Sequence, residues 1–448
     1  MIVQRILHTA EKFPEKQAIV YGLQSLSYAE LSEEIKYRAG AYQHRVTAPK
    51  VILTHAHSLE NLLDLLALLA LGKASIMAST QLNEEQIQGL LEQEEATTLP
   101  PRNQESVALT DIQSATLTDR FLGVLTSGTE STPKVIWKDY QSWVTAFPHQ
   151  SDVFGITPDD RLFVLDALSY SANLNSVLHM LWQGGTVVMT SLKSAASWPR
   201  QMQEQQISSV FMVPSHYRLW AKKSLSLPGI RSLVSAGEKL EASLAEILLA
   251  CCPDVLLTEY YGAAELGHVS YQQNQEIIQH SYAVGQAFPG VKIKIVDQRI
   301  LVESDYVSPD YRGVNTVFDL GLIEDGRLIL MGRSGRMFNR RGLNVFAEEI
   351  ENSAKLLPFV TEVAVIGLLR EDLSHDIYLV FSASYPGHVQ ANYSQQLKTH
   401  LLHSLPTFKQ PRRILELRNL PRKDNGKIDY QAVARIFSEE DSLATLER

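Results

Sequence analysis

The 448-residue chain reads as an α/β protein: a large N-terminal domain of parallel-rich sheets with helices and a small β-rich subdomain, followed by a small α+β domain. Three observations predict this. From Ala18 to about Glu259, short β-prone runs alternate with helical patterns, the rhythm of βαβ units and largely parallel sheets. After Ser281 the texture changes to close-set strands. Gly332-Arg333-Ser334-Gly335-Arg336 then breaks the pattern with about 110 residues still to come, enough for an independent unit.

Met1-Ile2-Val3-Gln4-Arg5 leads into a helix-like pattern with no signal-peptide profile. Strands are expected at Ala18-Tyr21, Val51-Thr54, Ala74-Met77, Phe121-Leu125, Arg161-Leu165, Thr186-Thr190, Ser209-Val213, Ser232-Val234 and Val255-Thr258. Helices are expected at Tyr28-Arg45, Leu59-Leu71, Asn173-Gln183, Trp198-Gln206 and Leu240-Cys251. Val291-Val296 and Arg299-Val302 are the close-set strands. Beyond the break, Ala347-Leu356 and Tyr393-Leu405 read as helices, and Glu362-Ile366 and Ile377-Ser382 as strands.

A hydrophobic content of 45%, a charged content of 20% and a net charge of −9 fit a globular protein and argue against a nucleic-acid surface as its main business. The only two cysteines, Cys251 and Cys252, end an apolar run and read as core residues of a disulfide-free cytoplasmic protein. The longest apolar run, Leu62 to Gly72, is interrupted by Asp64 and too short to span a bilayer. It reads as a buried helix.

The most informative stretch is Leu125-Thr126-Ser127-Gly128-Thr129-Glu130-Ser131-Thr132-Pro133-Lys134. It lies between Phe121-Leu122-Gly123-Val124-Leu125 and the β-prone Val135-Ile136-Trp137. Hydroxyls, backbone N–H groups and a terminal ammonium suit a loop that wraps phosphate. Taken alone, a plain Ser/Thr-rich hairpin loop fits as well. Walker A spacing is absent.

This loop resembles the phosphate loop of the adenylate-forming superfamily (acyl-CoA ligases, carrier-loading adenylation domains, luciferases), T-S-G-[ST]-[ST]-G-x-P-K. Three more blocks follow in the family's order. Tyr261-Gly262-Ala263-Ala264-Glu265 resembles Y-G-x-T-E. Phe318-Asp319-Leu320-Gly321 with Asp325-Gly326 and Gly332-Arg333 resembles G-D-L-G…D-G…G-R. Leu420-Pro421 with Asn425-Gly426-Lys427-Ile428 resembles L-P-x-x-x-x-G-K-I. The likeness covers essentially the whole chain and is strongest to bacterial acyl-CoA ligases.

The resemblance implies adenylation of a carboxylate by ATP and transfer of the acyl group to CoA, with Mg²⁺. It implies an adenylate-forming domain over 1–332, a hinge at 333–336 and a mobile lid domain over 337–448. Thr126, Ser127, Gly128, Thr129 and Lys134 would hold the β- and γ-phosphates. Tyr261 and Gly262 would face the adenine, with Ala236-Gly237-Glu238 on its other side. Glu265 would bind Mg²⁺, Asp319 the ribose hydroxyls, and Arg333 the ribose or phosphates. Lys427 would enter the site for adenylation only. The catalytic set is thus Lys427, Thr129 and Glu265.

Four residues depart from the family pattern: Glu130 and Ser131 in the loop, Ala264 for the phosphate-binding threonine, and Asn339 for a lysine that Arg340 or Arg341 could replace. They leave room for a degenerate nucleotide-binding protein. The retained Glu265, Asp319 and Lys427 favour an enzyme. Ala167 to Asn175, where amino-acid-activating relatives place an aspartate, holds no acid, so an uncharged acyl or aryl tail is expected. Lys409, Arg412, Arg413, Arg418, Arg422 and Lys423 form a basic stretch suited to a CoA phosphate or an acidic carrier protein, or simply a solvated face.

Overall fold

The computed structural model describes residues 1–55, 57–79, 82–101, 109, 112–126, 133–221, 227, 229–333, 336–340, 343–370, 375–384, 392–423 and 427–437. The chain divides into two compact units. One comprises Met1–Lys294, Leu301–Val317 and Gly326–Leu328; the other comprises Ile295–Ile300, Phe318–Asp325 and Ile329–Arg448.

The first unit carries two large sheets. One has nine strands in the order Gln286–Ala287, Gly267–Gln273, Leu256–Ala263, Ser232–Ala236, Ser209–Met212, Arg161–Leu165, Thr186–Thr190, Gln17–Tyr21, Gln24–Ser27. Its six central strands run parallel, and antiparallel strands close both ends. The alternation of strand and helix predicts this, because parallel neighbours need crossovers. The second sheet is Thr97–Thr98, Lys50–Leu53, Ala74–Met77, Arg120–Thr126, Lys134–Asp139, with only the last pair antiparallel.

The apolar run Leu62 to Gly72 lies mostly in the helix Ser58–Ala70, which is buried from Asn61 to Ala70. Its Asp64 is fully buried and answered by three partners: Arg38 at 2.8 Å, Tyr42 at 2.9 Å and His55 at 2.9 Å. A buried carboxylate persists only with such compensation. Cys252 is buried as expected, whereas Cys251 is only partly so. Among the described residues, the helices that escaped the pattern reading include Glu84–Glu94, Phe147–Phe154 and Pro214–Ala221. The last two carry proline in their first turn, which pattern reading takes for a breaker although it is favoured at helix starts.

In the second unit, Val360–Leu369 and His375–Ala383 form a long antiparallel pair, joined in parallel by Arg413–Glu416. The helices Ala347–Lys355 and Tyr393–Ser404 bury Ile350, Ala354, Leu397 and Leu401 in one core with Val363, Val365 and Leu379. This is the expected small α+β domain. The close-set strands Lys292–Val296 and Arg299–Glu303 belong to a four-stranded sheet with Asp319–Glu324 and Arg327–Arg333.

Candidate active site

Arg120–Thr126 and Lys134–Asp139 pair antiparallel, with Thr126 opposite Lys134. The Ser/Thr-rich loop therefore tops a hairpin. Ser127, Gly128, Thr129, Glu130, Ser131 and Thr132 lie outside the described residues, as does the side chain of Thr126. Lys134, at the other foot of the loop, donates to the Tyr311 hydroxyl at 2.8 Å and lies 5.3 Å from the centre of that ring.

Strand Ser232–Ala236 ends at the Ala236-Gly237-Glu238 turn, where Gly237 takes φ +87°. The turn is fixed by Glu259 on the neighbouring strand. One of its carboxylate oxygens accepts from the Leu240 N–H at 2.6 Å; the other accepts from Lys239 at 2.5 Å and Gln272 at 2.8 Å. Glu259 was missed in the sequence, where it is one acid within an apolar run.

Tyr261 and Gly262 lie near the end of strand Leu256–Ala263, and the pairing register shifts between them. A side chain at 262 would put its Cβ 2.4 Å from the Gly267 carbonyl. Glycine is therefore required for the strand to reach its partner, Gly267–Gln273. Ala264, Glu265 and Leu266 form the turn of this hairpin. Leu266 is buried beneath it, and Glu265 at the tip is partly exposed.

One short segment ties the two hairpins together. Ser308 donates its N–H to the Glu265 carbonyl at 2.8 Å and its hydroxyl to the Ala264 carbonyl at 3.0 Å. The same hydroxyl accepts from Lys138 Nζ at 2.7 Å. Around it, Gln141 donates to Asp305, Arg120 pairs with Asp310, Lys134 meets Tyr311, and Arg312 holds Asp139 with both guanidinium nitrogens. Burial pushes the Lys138 ammonium down to about 7, opposed by the charges of Glu265 and Asp139. Neither Lys138 nor this strap was anticipated. A Trp-Lys-Asp sequence at a strand end looks solvated.

His268 and His179 are buried nearby, each pushed down to about 3 by loss of solvent. His268 stacks among Tyr260, Phe154 and Phe288, and His179 meets Ser151 at 2.9 Å. In the substrate segment, Ser171–Gln183 is a helix whose Asn173 donates back to the Leu165 carbonyl at 3.1 Å. Asp166, just before that segment, accepts from the Tyr21 hydroxyl at 2.7 Å.

Within the second unit, Asp319 opens strand Asp319–Glu324 and is 4% exposed, so it is no helix cap. Gly321 has the same logic as Gly262: a Cβ there would lie 2.5 Å from the Ile329 carbonyl. Arg333 ends a strand; its side chain, Ser334 and Gly335 lie outside the described residues. Arg336 is clamped by Glu348 at 2.9 Å, Glu351 at 2.5 Å and the Val365 carbonyl at 3.1 Å, and stacks 4.2 Å from the centre of the Tyr430 ring. Lys427 sits in a bracket closed by the Arg422–Ile428 bridge, its carbonyl accepting from the Lys423 N–H at 2.8 Å. Asp424, Asn425 and Gly426 are outside the described residues.

Arg340, one of the two arginines that could replace the lysine lost at Asn339, donates to the Phe408 and Gln410 carbonyls at 3.1 and 2.6 Å. Arg341 and the Asn339 side chain are outside the described residues. Three residues of the basic stretch pair inside their own unit: Lys409 with Glu349, Arg412 with Asp376 and Arg422 with Glu362.

Among the described residues no group of three or more acidic, histidine or cysteine side chains could enclose a metal. Glu265 offers one carboxylate, a hard oxygen ligand, on a turn. That suits Mg²⁺, which commonly takes one or two carboxylates and completes its shell with phosphate oxygens and water.

Residues 111–306 match the family described as AMP-binding enzyme. A Staphylococcus epidermidis protein provisionally named long chain fatty acid-CoA ligase VraA is 24% identical over 97% of this chain and 98% of its own. An uncharacterized acyl-CoA ligase, YhfT, of Bacillus subtilis is 26% identical over 70% of this chain and 68% of its own. In structure, MatB from Rhodopseudomonas palustris with bound ATP aligns at TM-score 0.82 and 18% identity, covering 98% and 99% of the two chains. O-succinylbenzoate coenzyme A synthetase from Bacillus subtilis, with ATP and magnesium ion, aligns at TM-score 0.80 and 19% identity over 95% and 98%. Residues 111–306 thus match the AMP-binding enzyme family and the chain shares the fold of these two solved enzymes, in agreement with the resemblance read from its motifs.

Proposed function

We propose that this chain is an AMP-forming acid–thiol ligase of the acyl-CoA ligase type, acting on a fatty or other uncharged carboxylic acid. The substrate carboxylate attacks the α-phosphorus of ATP, pyrophosphate leaves, and an acyl-AMP forms. The CoA thiol then attacks the acyl carbon, and AMP leaves. The observation that carries this reading is the strap-held pair of hairpins, one topped by the hydroxyl-rich loop and the other by Glu265. A cation held by the one carboxylate of Glu265 would complete its shell with the ligand's phosphate oxygens and water.

Attacking and attacked groups are both anions, so the site must offset charge and hold them in line. In this reading Thr126, Ser127, Gly128, Thr129 and Lys134 hold the β- and γ-phosphates, and Glu265 holds Mg²⁺. Tyr261, Gly262, Gly237 and Glu238 bound the adenine. Asp319 accepts both ribose hydroxyls, Arg333 contacts the ribose or a phosphate, and Lys427 offsets charge during adenylation. Mg²⁺ supplies charge neutralisation on the phosphates. A hinge at 333–336 lets the 337–448 domain serve each half-reaction in turn.

A second reading keeps the first step and loads a carrier protein; tyrocidine synthase 3 of Brevibacillus parabrevis is 23% identical over 95% of this chain and 7% of its own. The absence of acidic residues from Ala167 to Asn175 favours the acyl substrate over an amino acid. Among the described residues no helix is long and apolar enough to cross a membrane, and we place the enzyme in the cytoplasm on its sparse cysteines. ATP–pyrophosphate exchange over a panel of carboxylic acids tests the reading: fatty or aryl acids should support exchange, and no exchange with any acid overturns it. CoA and carrier-protein acceptors then separate the two forms.

A further inference from the structure

We propose that Lys138 is a positioning residue for Glu265, acting through the hydroxyl of Ser308, in the site the acyl-activating reading assigns. Lys138 is 1% exposed. Among the described residues its ammonium makes one hydrogen bond, to Ser308, and has no carboxylate within ion-pairing distance. An ammonium has three donors, and burying it with one partner is costly. A methionine of similar shape would fill the same space without that cost. The ammonium is thus an expensive choice for a strand that needs only packing.

Its connections say what it is for. Ser308 holds the two consecutive carbonyls of Ala264 and Glu265, through its hydroxyl and its N–H respectively. Lys138 donates to that hydroxyl, so the hydroxyl's proton is left for Ala264. The lysine therefore selects the rotamer in which Ser308 clamps the turn. The Glu265 charge in turn favours the charged form of Lys138. A metal–ATP complex carries net negative charge into a site that already holds Glu265. Lys138 in its charged form, behind the turn, offsets part of that excess while the clamp keeps the carboxylate aimed.

The test uses full-length Lys138→Met, Lys138→Arg, Ser308→Ala and the Lys138→Met/Ser308→Ala double variant. Binding of α,β-methylene-ATP at saturating Mg²⁺ is measured by calorimetry, beside thermal unfolding. Lys138→Met should unfold no lower than the parent yet bind the complex roughly 10-fold more weakly, as for other hydrogen-bond partners behind metal ligands. Lys138→Arg should recover part of the loss. Ser308→Ala should weaken binding less, and the double variant should be no worse than Lys138→Met. In exchange assays KM for ATP should rise while KM for the acid stays. A folded Lys138→Met that binds as tightly as the parent overturns the proposal, as do additive effects in the double variant. If Lys138→Met does not fold, Lys138→Arg and Ser308→Ala decide by the same binding measurement. A parent that binds the complex but exchanges pyrophosphate with no acid overturns the ligase reading instead, and the binding data still decide on Lys138.

Discussion

The turn that carries Glu265 and the bracket that carries Lys427 are held in opposite ways. Glu265 rides on a hairpin whose strands meet only because residue 262 is glycine, and whose tip is clamped by Ser308, 43 residues further along the chain. Lys427 sits in a bracket closed by its own neighbours: the Arg422–Ile428 bridge, Lys423 N–H to the Lys427 carbonyl, and Asp429 N–H to the Pro421 carbonyl at 2.8 Å. Leu420 anchors that bracket in a core with Val380, Val433 and Phe437. The carboxylate is thus placed by tertiary structure, whereas the lysine is carried as a local cassette. In the proposed reading, a metal anchor needed whenever nucleotide is bound suits the first arrangement, and a cation needed for one half-reaction suits the second.

The largest effect expected from this contrast is at Lys427. Lys427→Ala should slow acyl-AMP formation by about 100-fold or more, the scale of losing one transition-state charge donor. Transfer from supplied acyl-AMP to CoA should be nearly unchanged in single-turnover assays. Equal loss in both half-reactions would break the contrast. The fixed anchors should behave differently. Glu265→Gln should raise the Mg²⁺ requirement, and Asp319→Asn should raise KM for ATP, each by roughly 10-fold; wild-type ATP kinetics in both would mean the site is misplaced.

Acid should loosen the Glu265 hairpin from within. His268 lies on its second strand, and both His268 and His179 are depressed from 6.5 to about 3 in the folded protein. The unfolded chain then binds more protons, so their contribution is full above about pH 6.5 and is lost as pH falls toward 3. Hydrogen exchange at pH 7 and pH 4.5 should show protection of 262–273 falling sharply, and His268→Gln should flatten that fall. A hairpin equally protected at both pH values would show that the histidines do not govern it.

The smallest effect concerns Glu130, in the loop whose structure is not described. If it faces the triphosphate, one pair of unit charges about 6 Å apart repels by roughly 3 kcal/mol at an effective dielectric of 20, before screening. Glu130→Thr should then lower KM for ATP modestly, with a gain that shrinks as salt rises. A higher Mg²⁺ demand in the variant would instead assign Glu130 to the metal. A KM indifferent to the substitution at every salt concentration would point it to solvent.

Much of the fold and part of the site were legible in the sequence. Strand–helix alternation over Ala18 to Glu259 carried the parallel sheet, because its period is local. Gly262 and Gly321 stood out within their motifs, and each proves to sit where a Cβ would strike a neighbouring carbonyl. Glu259, Lys138 and Ser308 did not stand out. Their meaning lies in partners 13 to 170 residues away, and no local period marks such a pair. The acids that pair with part of the basic stretch, Glu349, Asp376 and Glu362, were hidden for the same reason, since they lie on distant segments.

The strap from Asp305 to Arg312 also bears on how the chain acquires its shape. Its links to Gln141, Lys138, Arg120, Lys134 and Asp139 span 164 to 190 residues. Contacts of such separation close large loops and form slowly. During synthesis the phosphate-loop hairpin must wait, with Lys138 and Asp139 still hydrated, until the ribosome has delivered residue 312. The two strapped hairpins should therefore mature late in their unit, and a ligand that binds only the finished form, as ATP would in the proposed reading, would favour folding.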